Sequence, residues 1–109
     1  KHEIKEEKGT TVISFEGDVD LDSSPEARKV LLDCVGRKLP VFVDLSAVTY
    51  IDSSGVASLV EAIQTAKKEG CEFSLVSVST AALRVLQLAR LDKVFTIHET
   101  LEDGFKALD

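Results

Sequence analysis

Residues that commonly build catalytic and metal sites are scarce in this sequence. Among the 109 residues there are only two histidines, His2 and His98, and only two cysteines, Cys34 and Cys71. Neither histidine lies in a recognisable triad context, so the sequence does not indicate a serine hydrolase. The cysteines are far apart and have apolar neighbours, which favours two buried thiols over a disulfide or a metal pair.

Two kinds of segment are also missing. No glycine-rich loop is followed by Lys and Ser or Thr, which excludes a nucleotide-hydrolysing P-loop. No apolar run approaches the roughly 20 residues that span a bilayer. The first residues, Lys1 to Lys5, lack the apolar core of a signal peptide. We therefore expect a cytoplasmic protein that does not insert directly into a membrane.

The composition is that of one small globular domain with an acidic surface. Apolar residues make up 44% and charged residues 29%, and 109 residues suit a single domain with one core. The net charge of −6 argues against nucleic acid or an anionic membrane as the partner. It fits a partner with a basic face, and it also serves solubility.

The hydrophobic pattern predicts nine elements in the order β-β-α-β-α-β-α-β-α. Helices are predicted after Ser23-Ser24, from Ser53 to Glu69, after Ser79-Thr80 and after Thr100. Strands are predicted over 4–7, 10–16, 41–45, 72–78 and 93–97. Strands joined through helices run parallel, while the first two form an antiparallel hairpin. We expect an α/β fold with a mixed sheet of about five strands packed against about four helices.

Apolar residues at helical spacing indicate which side of each helix is buried. In the helix over 53–69 the stripe comprises Val56, Leu59, Val60, Ile63 and Ala66. Gln64 and Lys67 lie on its solvated side. The following helix carries the apolar residues Ala82, Leu83, Leu86 and Leu88.

The run Asp18-Val19-Asp20-Leu21-Asp22 has alternate carboxylates, as a calcium loop does. A calcium loop counted from Asp18 needs glycine where this chain has Ser23 and a bidentate glutamate where it has Lys29. The calcium interpretation therefore fails, and no metal site or cofactor is expected.

A polar turn, Asp52-Ser53-Ser54-Gly55, stands between a buried strand and the amphipathic helix over 53–69. The first amide groups of a helix lack intrahelical partners and carry partial positive charge, so they favour an oxygen cap or a phosphate. Ser and Asp are also ordinary helix caps, and a cap by itself is a structural feature. The two roles are compatible, since a hydroxyl that caps when bare can be replaced by a phosphate.

This turn, with the strand before it and the helix behind it, resembles the STAS domain, and more narrowly the bacterial anti-sigma factor antagonists. The later pattern over 83–95, with Leu83, Leu86, Arg90 and Leu91, also fits that family. Because the resemblance covers nearly the whole chain, a single STAS domain over 1–109 is expected. The resemblance implies a binding module that is not an enzyme and that holds an anti-sigma factor when unphosphorylated.

The resemblance also implies the site residues. Ser53 matches the serine that the partner, an anti-sigma factor with serine kinase activity, phosphorylates in the family. Asp20 matches an acidic residue after the second strand that faces the partner. The implied partner-binding residues are Asp20, Asp52, Ser53, Ser54, Gly55 and Val56.

Two alternatives remain open. Val56-Ala57-Ser58 departs from the Leu-Gly that often follows this turn in the antagonists. The departure leaves room for a STAS subunit that regulates an ABC-type lipid transporter by binding its ATPase. A two-component receiver with Asp44 as phosphoacceptor is the nearest rival fold, but the chain opens with a hairpin instead of a strand ending in paired acids.

Overall fold

The computed structural model describes residues 1–108 and contains the nine predicted elements in the predicted order. The strands are β1 (His2–Glu7), β2 (Thr10–Val19), β3 (Val41–Ile51), β4 (Phe73–Val76) and β5 (Thr96–His98). The helices are α1 (Ser24–Val35), α2 (Ser53–Glu69), α3 (Thr80–Leu88) and α4 (Leu101–Leu108). The strands form one sheet in the order β1-β2-β3-β4-β5, antiparallel between β1 and β2 and parallel elsewhere. The predicted mixed sheet with its N-terminal hairpin is confirmed.

Both faces of the sheet carry apolar residues because successive side chains of a strand point to opposite faces. On one face Val41 and Val43 of β3 join the main core, together with residues of α1, α2 and α3. On the other face Phe42 packs with Val12, Val76 and Phe105, so α4 covers a smaller second core. Three helices therefore share one face of the sheet and one helix lies on the other.

Helix α2 packs as the apolar stripe predicts. Leu59 and Ile63 are 2% and 5% exposed and belong to the main core, whereas Gln64 and Lys67 are exposed. The helix ends where Gly70 takes a left-handed conformation, φ 69° and ψ 30°. Glycine suits this position because it has no side chain to oppose a positive φ.

The predicted ends of the second and third strands, Glu16 and Leu45, are wrong. The β2–β3 ladder continues to Val19 and Ile51 and passes through register shifts between Ser14 and Glu16 and between Gly17 and Asp18. Such irregularities absorb an extra residue without ending the pairing. The last two strands are also shorter than predicted, since β4 covers only 73–76 and β5 only 96–98.

Because β3 is long, Asp44 lies inside the strand, and its Oδ1 accepts a hydrogen bond from the Ser46 amide at 2.8 Å. A receiver phosphoacceptor at a strand end does not match this position.

Leu88 is 79% exposed, because two residues along a helix is a rotation of about 200° from the fully buried Leu86. Ser23 is the N-cap residue of α1 but forms no side-chain cap bond. Its hydroxyl is used in the loop before the helix instead, where it accepts a hydrogen bond from the Asp20 amide at 2.9 Å.

Candidate functional site

The polar turn lies at the carboxyl end of β3, where Asp52 caps α2. Asp52 has extended backbone angles, and its Oδ1 accepts hydrogen bonds from the amides of Ser54 at 2.9 Å and Gly55 at 3.1 Å. These are two of the first-turn amides that no helix can satisfy internally. The cap is therefore supplied by the aspartate and not by the serine that follows it.

Ser53 is the first residue of α2 and is exposed. Its hydroxyl is not needed for the cap, because Asp52 already takes that role. The amino end of a 17-residue helix carries partial positive charge that favours an anionic group. Ser53 is thus an accessible hydroxyl at a position where a phosphate has favourable backbone electrostatics.

An open groove of about 670 Å³ runs from Ser53 between α2 and α3. Its walls are mainly apolar, with Glu61 and Gln64 as the polar residues of α2 and with Val56, Ala57, Val60, Val85 and Ala89 as the apolar ones. Val60, predicted as part of the core stripe, is only partly buried because it lies at this groove. The exposed hydroxyl therefore borders an apolar depression.

Gly55 sets the contact between α2 and β2. A Cβ atom added at Gly55 would collide with the Val19 carbonyl oxygen and would lie 2.8 Å from Ile51 Cγ1 and 2.9 Å from Val19 Cγ1. Real Cβ atoms essentially never approach other heavy atoms so closely. Only glycine allows the first turn of α2 to lie directly against the end of β2.

Asp20 organises the loop between β2 and α1. Its Oδ1 accepts hydrogen bonds from the amides of Asp22 and Ser23, both at 3.1 Å, and from the Ser23 hydroxyl at 3.2 Å. Such local bonds between an aspartate and the backbone two or three residues on are typical of turns. This carboxylate oxygen is thus engaged within its own loop.

Asp52 joins this loop to the start of α2. Its second oxygen, Oδ2, accepts a hydrogen bond from the Leu21 amide at 3.0 Å, across 31 positions of sequence. The Asp52 amide in turn donates to the Val19 carbonyl at 3.3 Å. One carboxylate therefore caps the helix with one oxygen and holds the neighbouring loop with the other.

The structure brings the implied partner-binding residues to one edge of the sheet, with unequal accessibility. Ser53 is exposed, whereas Asp20, Asp52 and Ser54 are half-buried. Gly55 and Val56 are buried, although Val56 also forms part of the groove wall.

Three neighbours of the site were not predicted. Val85 of α3 and Ala89, the residue that directly follows α3, line the groove, and Leu21 is 69% exposed in the loop held by Asp52. The sequence signal for Leu21 is an apolar residue between two aspartates.

The groove also has an ion pair on its rim. Arg28 of α1 donates two hydrogen bonds, each 2.7 Å, to the two carboxylate oxygens of Glu61. This hydrogen bonding lowers the pKa of Glu61 and raises that of Arg28. Away from the groove, burial raises the pKa of both thiols, Cys34 and Cys71.

Residues 1–108 contain neither a metal-binding cluster nor a membrane-spanning helix. Within that range no group of three or more His, Cys, Asp and Glu side chains is placed to hold a metal ion. None of the helices over the same residues is long and apolar enough to cross a membrane.

Comparison with known proteins gives one family. The family model of the STAS domain matches residues 1–104. Over 102 residues the chain is 24% identical to the anti-sigma-B factor antagonist of Bacillus subtilis, and the match covers 94% of each protein.

Solved structures of similar fold agree with that match. An anti-sigma factor antagonist from Mycobacterium paratuberculosis has a TM-score of 0.89 at 29% identity, with 98% of this chain and 92% of that one covered. The anti-sigma factor antagonist SpoIIAA in its unphosphorylated form has a TM-score of 0.82 at 16% identity, covering 99% and 96%. SpoIIAA, the Bacillus cell fate determinant, in its phosphorylated form has a TM-score of 0.76 at 16% identity, covering the whole of both chains.

Proposed function

Because this chain belongs to the STAS domain family, we propose that it is an anti-sigma factor antagonist switched by phosphorylation of Ser53. Unphosphorylated, it binds an anti-sigma factor with serine kinase activity and so releases the sigma factor. Phosphorylated, it lets that partner go. The chain acts as a binding module and performs no catalysis itself.

The observation that carries this proposal is that Ser53 is exposed at the start of α2 and is not the residue that caps the helix. The side chain is exposed, it starts α2, and the cap is made by Asp52. The family match and the similarity to an antagonist solved in both phosphorylated and unphosphorylated forms support it.

Phosphorylation of Ser53 adds negative charge at the start of α2. A kinase transfers the γ-phosphoryl group of ATP to the Ser53 Oγ atom, which loses its proton, and ADP leaves. The phosphate adds a charge of about −1.5 to −2 at pH 7. It does so beside Asp52 and near the loop that carries Asp20, so it repels an acidic partner surface and occupies space needed by a closely fitted one.

The phosphoacceptor assignment is tested by incubating the protein with ATP and each anti-sigma factor kinase encoded in the same genome. The modified peptide is then mapped by mass spectrometry. We expect one phosphate on Ser53, none on Ser53→Ala, and a phosphate still on Ser53 in Ser54→Ala, which removes only the neighbouring hydroxyl. Phosphate on Ser54 or Ser58 with Ser53 bare contradicts the assignment. No modification by any such kinase favours binding to a transporter ATPase instead.

The switch itself is tested by affinity. Ser53→Ala should bind the kinase as wild type does, and Ser53→Asp should bind more weakly because it adds negative charge. Since Asp52 is the cap, Ser53→Ala should change the free energy of unfolding by less than about 0.5 kcal/mol, so folding does not confuse the comparison. Equal affinity of folded Ser53→Asp and wild type would refute the switch.

A further inference from the structure

We propose that Leu21 is the apolar anchor of the partner-binding surface, and that Asp52 is a positioning residue that holds it there. The inference rests on the proposed function and adds which residues supply affinity. Leu21 is exposed on the β2–α1 loop, and the Asp52 carboxylate links this loop to α2, which begins with the proposed phosphoacceptor Ser53.

Leu21 is an exposed apolar residue in an acidic loop. Its side chain is 69% exposed, and its neighbours in the chain are Asp20 and Asp22. Single exposed leucines are common on protein surfaces, so exposure alone does not mark a contact. What distinguishes Leu21 is that the backbone beneath it is fixed at several points.

These fixed points lie on both sides of Leu21. Its amide donates to Asp52 Oδ2 at 3.0 Å, and Asp20 Oδ1 holds the next two amides, of Asp22 and Ser23, at 3.1 Å. Before it, the Val19 carbonyl accepts from the Asp52 amide at 3.3 Å. An apolar side chain on a loop that is already ordered loses less conformational entropy when it binds, so more of its burial contributes to affinity.

Charge indicates the chemistry of the partner. From Glu16 to Ala27 the chain has five acidic residues and no lysine or arginine. A partner that covers Leu21 therefore needs an apolar pocket with basic residues around it, because complementary charge aligns the two surfaces. These basic residues face the β2–α1 loop, whereas the part of the partner that covers Ser53 is the acidic or closely fitted one on which the phosphate switch acts.

Two substitutions separate the anchor from its support. Leu21→Ala removes the apolar side chain and leaves the loop backbone intact. Asp52→Asn keeps a carbonyl oxygen for the Ser54 and Gly55 amides but replaces the oxygen that accepts from Leu21 with an amide group that only donates. The cap is retained while the link to the loop is lost.

Val94→Ala is the matched control. Val94 is 44% exposed and precedes β5, which runs parallel to β4 and so to β3; Val94 therefore lies at the end of the sheet opposite to Ser53, which follows β3. Its truncation also removes exposed apolar surface, but away from the proposed surface.

The experiment measures affinity for the anti-sigma factor kinase that phosphorylates wild type, together with hydrogen exchange of the Leu21 amide. We expect Leu21→Ala to weaken binding about tenfold, as loss of an interface anchor does, and Val94→Ala to leave it unchanged. Asp52→Asn should weaken binding and speed exchange at Leu21 while α2 remains protected.

Each part has its own refutation. If Leu21→Ala binds as tightly as Val94→Ala while Ser53→Asp still weakens binding, the anchor role of Leu21 is refuted and the proposed function is not. Unchanged Leu21 exchange in Asp52→Asn overturns the positioning role, with or without a partner. Failure of wild type to bind any such kinase overturns the proposed function and the anchor with it.

Discussion

Replacing Gly55 with alanine tests how closely α2 must approach the end of β2. Helix propensity alone favours alanine over glycine by about 1 kcal/mol in a helix. The structure predicts the opposite sign, because the new Cβ would collide with the Val19 carbonyl oxygen and press against Ile51 Cγ1 at 2.8 Å. The Val19 carbonyl is backbone and accepts a hydrogen bond from the Asp52 amide, so it cannot yield without disturbing the turn.

The magnitude follows from overpacking. Extra atoms forced into a well-packed site cost about 1–3 kcal/mol, and the middle of this range, about 2 kcal/mol, exceeds the benefit of about 0.4–1 kcal/mol from a less flexible unfolded chain. Gly55→Ala should therefore lower the free energy of unfolding by about 1 kcal/mol or more. Urea unfolding followed by circular dichroism measures this change.

Gly36→Ala is the control, since its added Cβ meets the Asp33 carbonyl at an ordinary 3.4 Å and its φ is −64°. That variant should be neutral or slightly stabilised. If Gly55→Ala is as stable as Gly36→Ala, α2 does not lie against β2 as described. The hydrogen bond between Asp52 and Leu21 then loses its structural basis as well.

Two further outcomes concern the same helix. Leu59→Ala should lower the free energy of unfolding by about 2–5 kcal/mol because it opens a cavity in the main core. Gln64→Ala, on the exposed side, should change it by less than about 0.5 kcal/mol. Equal urea midpoints for the two variants would show that α2 is rotated from the position described. Glu61, whose pKa is lowered by the hydrogen bonds from Arg28, should stabilise the fold above its ordinary pKa of 4.5 and lose that contribution as pH falls through the lowered value. The stability difference between wild type and Glu61→Gln should therefore shrink on acidification from pH 7, and a pH-independent difference would contradict the pairing.

The order of elements was predictable because each one carries its own local signal. Alternating apolar residues, a polar turn and Gly70 after the last apolar residue of α2 each depend on neighbours within a few positions. The exposed position of Ser53 also follows from the turn and the buried stripe behind it.

The parts that were not predicted depend on contacts distant in sequence. Strand β3 extends to Ile51 because its partner β2 continues to Val19. The sequence does not show this, because Gly17, which has φ 84°, ordinarily marks the end of a strand. The bond from Asp52 to the Leu21 amide likewise joins residues 31 positions apart. The local pattern predicts a cap in the turn, but it does not distinguish Asp52 from Ser53 as the cap and carries no information about the second oxygen of the Asp52 carboxylate.

The order of the strands has a consequence for the kind of ligand this protein suits. In open α/β sheets, small molecules bind in the crevice that forms where two adjacent crossovers leave toward opposite faces. Here β2 to β5 follow one another in chain order, and α1, α2 and α3 all pack on one face. Consecutive crossovers therefore turn the same way, and the exposed residues Leu21 and Ser53 both lie at the carboxyl end of the parallel strands. An edge of this shape suits contact with the surface of another macromolecule better than enclosure of a small one.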